Sequence, residues 1–189
     1  MLSVIIPTHE SERILVRTLA CLVPGATAGL IREVILADGG STDETAEVGD
    51  IAGCRFLAKP GPLGPRLDFA AESARSEWLM VIAAGAVLEP GWVADVQQFV
   101  DRASPDIAAC FSEAARPQGH ESMLRAVIAL WRARRASLDP AKGLVISKAF
   151  LRRLGGYRDG PDPEGELLHR IRKRRLATLR TGIMTAGEP

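Results

Sequence analysis

Two places in the chain set chemically capable side chains directly after an apolar run. Thr8, His9 and Glu10 follow the run Leu2 to Pro7, and Asp38 follows Glu33 to Ala37 with Gly39 and Gly40 behind it. Glycines let a ligand or a second chain come close to the backbone, so the Asp38 carboxylate stands where a base or a ribose can dock. A plain turn carboxylate is the other reading of Asp38, weakened because Ser41, Thr42 and Asp43 are available to cap the next helix. If Asp38 serves a nucleotide, Asp38→Ala is expected to remove binding while shifting the melting temperature little. No Gly-x-Gly-x-x-Gly follows the first run, which takes away the main support for a dinucleotide-dependent oxidoreductase. His9, an isolated histidine, reads equally well as a surface-loop residue. Arg66 can pair with a phosphate or stand in a solvated loop. His120 has no cysteine or carboxylate partners at metal spacing and reads as a surface residue.

These residues need a scaffold that brings strand ends together, and the first 110 residues provide one. Short β-branched runs alternate with helix-like stretches, the signature of a parallel sheet built from βαβ units. Strands are predicted at Leu2 to Pro7, Glu33 to Ala37, Cys54 to Leu57, Trp78 to Ile82 and Ile107 to Phe111, each apolar enough to be covered on both faces. Leu15, Leu19 and Leu22 give the first crossover helix its stripe. Ser41 or Thr42 fits as N-cap of the second, and Pro90 opens the one after strand four. The Pro and Gly cluster from Lys59 to Pro65 reads as a loop. Beyond Pro117 the expected elements are a helix over Ser122 to Arg135, a strand Gly143 to Ser147, a helical turn to Leu154 and a helix from about Glu164 to Arg175. In a sheet of this kind ligands bind at the carboxyl ends of the strands.

The 189 residues, 47% apolar and 25% charged, suit one domain. Lys and Arg number 24 against 23 Asp and Glu, which argues against a nucleic-acid binder. The charge is uneven: residues 1–121 carry 9 basic and 17 acidic side chains, residues 122–189 carry 15 and 6. An anionic partner should therefore approach the C-terminal third. The helix over Ser122 to Arg135 carries arginines around an apolar stripe. A helix docked on the sheet with a basic solvated edge is the favoured reading, and an interfacial membrane helix the minority one. The basic run from His169 to Arg175 either complements a helix C-terminus or binds a diphosphate or anionic acceptor. Cys21, Cys54 and Cys110 form no Cys-x-x-Cys pair and read as buried thiols of a reducing compartment. No secretory leader and no membrane-length apolar run is visible, so a cytoplasmic protein is expected.

"SVIIPTHE", "EVILADGGSTDET" about thirty residues later and "LEPGW" after an apolar strand resemble the family-two glycosyltransferases, in particular small stand-alone bacterial members. "GLVISKAFLRRLGGYRDGPDPEGELLHRIRKR" is similar to their acceptor-side segment, so the resemblance covers nearly the whole chain. It implies an α/β fold of GT-A type, a mostly parallel sheet sandwiched by helices, as one domain over residues 1–189. Residues 1–116 would hold the nucleotide-sugar and 117–189 the acceptor. The resemblance places Pro7, Thr8, His9, Glu10, Asp38 and Gly39 at the nucleotide, with His9 where relatives often have a tyrosine and Glu10 where they often have an asparagine. Arg66 and Asp68 fall in a stretch that covers the sugar nucleotide. With Leu167 as anchor, Glu164 falls on the position of the catalytic base and Pro163 on its acidic neighbour; support of a helix N-terminus accounts equally for Glu164.

One departure is decisive. Relatives carry Asp-x-Asp after strand four, whose carboxylates hold the Mn²⁺ or Mg²⁺ that bridges the donor phosphates; here the residues are Ala83, Ala84 and Gly85. Arg66, Arg170 and Arg172 are the residues expected to offset the phosphate charge in its stead. Two readings follow. One is an inverting transferase that moves a sugar from a nucleotide-sugar, a UDP-sugar foremost, to an acceptor hydroxyl without the usual metal site, with peripheral contact to an anionic membrane. The other is a catalytically inactive homologue that binds a nucleotide or a protein.

Overall fold

The computed structural model describes residues 1–113 and 142–185. In chain order these form β1 (Leu2–Thr8), α1 (Glu12–Thr27), β2 (Ile31–Asp38), α2 (Thr45–Ile51), β3 (Arg55–Ala58), α3 (Leu63–Ser73), β4 (Trp78–Val81), β5 (Ala86–Leu88), α4 (Trp92–Arg102), β6 (Ala108–Glu113), β7 (Leu144–Ser147), α5 (Lys148–Arg153), α6 (Pro163–Ile171), a 3₁₀ turn Lys173–Arg175 and β8 (Leu176–Thr185). The architecture is α/β: one eight-stranded sheet in the order β3-β2-β1-β4-β7-β6-β8-β5 with helices against it. The strands from β3 to β4 are mutually parallel. Beyond them β7 runs antiparallel to β4 and to β6, β8 parallel to β6, and β5 antiparallel to β8.

This pairing decides which residues share an edge. Thr8, Asp38 and Ala58 end three parallel strands at one edge, and Val81, at the end of β4, stands opposite Leu144, the start of β7. Gly64, in the first turn of α3, reaches the same edge. A Cβ there would lie 1.9 Å from the Arg158 carbonyl oxygen, so the segment leading into α6 is packed on this edge too. α6 then descends to the opposite edge, where Leu176 pairs with Ala108.

The core lies on both faces of the sheet. Leu2, Val4, Ile6, Met80 and Phe111 pack with Leu15 and Leu22 of α1 on one side, and Ile5, Ile35, Leu79 and Ile146 pack with Leu67 of α3 and Leu167 of α6 on the other. Such two-sided burial explains the uniformly apolar strands. β3 departs from it: as an edge strand it is half-buried over Arg55, Phe56 and Leu57 and exposed at Ala58.

Several local expectations are corrected. The Pro-Gly stretch does not stay a loop to Pro65, because α3 begins at Leu63. Proline is tolerated in a first turn, whose N–H groups have no intrahelical partner. Neither Ser41 nor Thr42 caps α2, which begins at Thr45 beside Asp43. Asp43 Oδ1 accepts from Thr45 N at 3.0 Å and Thr45 Oγ1 at 2.5 Å, and Oδ2 accepts from Glu12 N at 3.1 Å, so one carboxylate serves the starts of α1 and α2. Pro90 precedes α4 by two residues, and Gly91 at φ +92° makes the turn into it. The last helix ends at Ile171 rather than Arg175, because Arg172 adopts φ +57°. β5 and β8 add strands where none was expected. Cys21 and Cys54 are half-buried while Cys110 is buried. The expected helix over Ser122 to Arg135 lies outside the described residues.

Candidate active site

The ends of β1 and β2 are bound together by Asp38. It is 1% exposed, and its carboxylate accepts four hydrogen bonds. Oδ1 receives Thr8 Oγ1 at 2.9 Å and Ser41 Oγ at 2.5 Å; Oδ2 receives Gly40 N and Ser41 N, each at 2.7 Å. Burial alone would raise its pKa, but the bonds from Ser41, Gly40 and Thr8 outweigh that and hold it below the ordinary carboxylate value. Asp38 is thus built into the fold through these four bonds, so its removal is expected to cost stability as well as any ligand contact. Thr8 is buried beside it.

A second set of bonds zips the two loops above this floor. Glu10, at φ +50°, donates its N–H to Ser41 Oγ at 2.9 Å, and its Oε1 accepts from Thr42 N at 2.7 Å. Glu10 and Thr42 are exposed, Pro7 and Gly39 are half-buried, and His9 is exposed at the rim.

Arg66 comes over this floor from the first turn of α3. A Cβ on residue 39 would lie 1.8 Å from Arg66 Nη1 and 3.4 Å from His9 Nδ1; only glycine leaves the guanidinium its place. Nη1 makes one long contact of 3.5 Å to the Thr8 carbonyl, and Nε is buried without a partner. Burial pushes the Arg66 pKa down and Asp38 pulls it back up. A guanidinium with spare donors, flanked by His9 and Gly39, can meet the acceptor atoms of a nucleoside or a phosphate.

Asp68, two residues further along α3, faces elsewhere. Its Oδ1 accepts from Tyr157 N at 3.1 Å, and a Cβ on Gly156 would strike it at 2.1 Å. It therefore moors the Gly155–Tyr157 segment against α3.

Glu164 stands in the first turn of α6, which Asp162 caps by accepting from Gly165 N at 2.9 Å. Burial, with Asp162 close by, raises its pKa to about 7. Tyr157 lies in the same neighbourhood. Burial drives its pKa well above the ordinary value, Glu164 adds to the rise, and its hydroxyl has no hydrogen-bond partner. An open groove of about 650 Å³ runs past this helix start, lined by Arg158, Asp162, Glu166 and His169 among others; Glu164 is not part of its lining.

The remaining arginines take other posts. Arg170 donates to the carbonyls of Leu154 and of Gly156 and to Glu166 Oε2, the last two at 2.8 and 2.6 Å, which clasps the turn after α5. Arg172 to Arg175 are exposed at the opposite edge of the sheet, where Arg175 lies 5.7 Å from the Phe150 ring centroid. None of these contacts brings Arg170 or Arg172 to Asp38 or Arg66.

The turn after β4 holds Ala83, Ala84 and Gly85, with Gly85 at φ +84° and Ala86 N bonded to Ala83 O at 3.1 Å. None of these side chains has an oxygen, and among the described residues no group of three His, Cys, Asp or Glu side chains gathers to hold a metal ion. Glu89, the next carboxylate, accepts from Gly182 N at 2.8 Å. A divalent cation of the usual kind does not fit this donor set.

Comparison with known proteins names the class. Residues 3–156 match the family model "Glycosyl transferase family 2", and the chain belongs to that family. Sugar transfer is the general activity of the family, and the match ends before Glu164. Solved structures of glucosyl-3-phosphoglycerate synthase from Mycobacterium tuberculosis share the GT-A fold. The complex with Mn²⁺, UDP and phosphoglyceric acid superposes with a TM-score of 0.75 at 19% identity, over all of this chain and 72% of that one. The complex with Mn²⁺, UDP-glucose and phosphoglyceric acid gives 0.74 at 20%, over 100% and 73%. No curated protein matches. Among the described residues no helix is long and apolar enough to cross a membrane.

Proposed function

We propose that this protein transfers a sugar, with inversion, from a nucleotide-sugar to an acceptor hydroxyl, and that the donor is uridine-based, as the family resemblance and the UDP-bound neighbours suggest. The observation that carries the reading is Glu164: a carboxyl raised to about 7 in the first turn of α6, which follows the Arg158 segment packed against the start of α3. A base with a pKa near the working pH combines a useful ionised fraction with proton affinity. The acceptor oxygen attacks the anomeric carbon from the face opposite the diphosphate. Glu164 takes the hydroxyl proton, and the bond from the anomeric carbon to the diphosphate oxygen breaks with its electron pair on the leaving group.

The nucleoside side of the site falls to Pro7, Thr8, His9, Glu10, Asp38, Gly39 and Arg66, with Asp38 shaping the floor. Asp68 holds the acceptor-side segment in place. Residues 1–116 then serve the donor and 117–189 the acceptor, within one domain. The protein works in the cytoplasm, and the exposed run Arg172 to Arg175 gives it an edge that suits an anionic membrane surface.

A second reading, an inactive homologue that binds a nucleotide or a protein, is favoured by one observation, the oxygen-free turn Ala83–Gly85. Incubation with a panel of UDP-sugars separates the two. Sugar release or transfer that disappears in Glu164→Gln supports the transferase. Binding of UDP with no turnover of any donor, in chelator or in manganese, supports the inactive homologue.

A further inference from the structure

Tyr157 is the one tyrosine of the chain, and no step described above uses it. The residue is 5% exposed, and its hydroxyl is buried without a hydrogen-bond partner among the described residues. A buried polar group left unpaired costs stability, which a phenylalanine in the same space would avoid. Backbone bonds fix where the ring goes. Asp68 Oδ1 accepts from Tyr157 N at 3.1 Å, and Arg170 donates to the Gly156 carbonyl at 2.8 Å, so this turn is tied on one side to α3 and on the other to α6. The ring joins the apolar cluster that holds Leu67 of α3, Leu167, Leu168 and Ile171 of α6, and Cys110 of β6. On α6, positions 164, 167, 168 and 171 follow one another at the spacing of a single helix face, and the last three are buried. Glu164 is thus the polar residue at the head of the face that shares a core with Tyr157, while Glu166 and His169 line the open groove. Burial is the main reason the Tyr157 pKa is high. Glu164 is foremost among the charged groups that add to it, ahead of Cys110 and Asp68, and Arg170 opposes them. Asp68 and Arg170 are already engaged with the backbone on either side of the ring, and Cys110 offers sulfur, a weak acceptor.

We infer that Tyr157 is a positioning residue for the base: its hydroxyl donates a hydrogen bond to the Glu164 carboxylate once that group is ionised, and so holds it in one orientation to receive the acceptor proton. The inference rests on the transferase reading above. A buried phenol keeps its proton at neutral pH, so toward a carboxylate it acts as a donor. A hydrogen bond to the charged form favours that form. The hydroxyl therefore draws the ionisation of Glu164 to lower pH than burial alone would set.

Because the chain has a single tyrosine, a carbon-13 label at tyrosine Cζ gives one resonance that reports on this hydroxyl without turnover. In the parent its chemical shift should titrate as pH is raised through the range in which Glu164 ionises, about 7, and in Glu164→Gln it should stay flat. A flat resonance in the parent, or the same titration in Glu164→Gln, would overturn the inference. Tyr157→Phe supplies the second measurement. It keeps the ring and removes an unpaired hydroxyl, so its melting temperature should equal or exceed that of the parent, with UDP affinity within twofold by calorimetry. The midpoint of its kcat/KM profile should move to higher pH by about one unit; a purely structural tyrosine would leave that midpoint in place, and an unmoved midpoint would overturn the role. A parent that turns over no UDP-sugar would bring down the transferase reading and the positioning role with it, whereas a flat resonance in an active parent removes this inference alone.

Discussion

Two stretches at the carboxyl ends of the strands are of opposite construction. At the ends of β1 and β2 nearly every polar atom is spoken for, with Thr8, Gly40 and Ser41 converging on Asp38 and Glu10 reaching across to Thr42. At the end of β4 the turn is made of alanine and glycine, and among the described residues it is closed by the backbone bond from Ala86 N to Ala83 O. A preorganised polar floor costs little further ordering when a ligand arrives, whereas the bare turn fixes nothing by its own side chains. Within one family the first construction is therefore the more constrained by folding, and the second is free to change its chemistry.

The largest expected effect tests whether bond making depends on Glu164 although the turn after β4 is bare. Glu164→Gln should lower turnover by roughly 10²–10⁴-fold while UDP binding by calorimetry stays unchanged. In the parent, kcat/KM should rise with pH through about 7 as the carboxyl ionises. Because folding raises this pKa, the folded state holds the proton more tightly than the unfolded one. The Glu164 contribution to stability is thus greatest below the ordinary glutamate range and declines as pH climbs to about 7. A melting-temperature difference between parent and Glu164→Gln that shifts in favour of the variant over that window would show it.

Asp38→Ala breaks the crowded side. It strands Thr8 Oγ1 and two backbone N–H groups, so about 3 kcal/mol of stability should be lost, read by denaturant titration, together with UDP binding. Since hydrogen bonds hold the Asp38 pKa below the ordinary value, its contribution is complete at neutral pH and fades only as pH falls below the normal aspartate range. Gly39→Ala is milder. The added methyl displaces the end of a flexible arginine, so binding should fall several-fold while the melting temperature scarcely moves. Ala83→Ser sharpens the contrast from the bare side: stability should stay within about 0.5 kcal/mol and UDP binding within twofold, and a larger change in either would show that the turn is more constrained than its backbone-only bonding implies.

Legibility in the sequence divides along similar lines. β1, β2, β4 and β7 were readable because burial on both faces demands β-branched and aliphatic runs. β8 was not, because Arg180 and Gly182 interrupt its pattern and the basic run before it resembles the end of a helix. The stop at Arg172 depends on a left-handed backbone that arginine does not advertise. At the site, Thr8 and Asp38 were legible from their strand ends, yet the saturation of Asp38 was hidden, since it needs Ser41 to turn back rather than cap a helix. Arg66 was singled out for phosphate, but its place over Gly39 depends on α3 beginning earlier than the prolines suggest.

The position of β8 also bears on how the chain comes together during synthesis. This last described strand lies between β6 and β5, and among the described residues β5 has no other neighbour in the sheet. A ribosome that has released only residues 1–156, the stretch matching the family, would present β5 unpaired and β6 open along the side that β8 later covers. Such edges invite pairing with other chains, so expression of that fragment should yield aggregates where the whole chain folds. Closing a contact as distant as Leu88 with Ile183 is entropically slow. The β1–β4 half can be in place while the other waits for residues 176–185 to emerge, which makes the arrival of β8 the rate-setting step for that half.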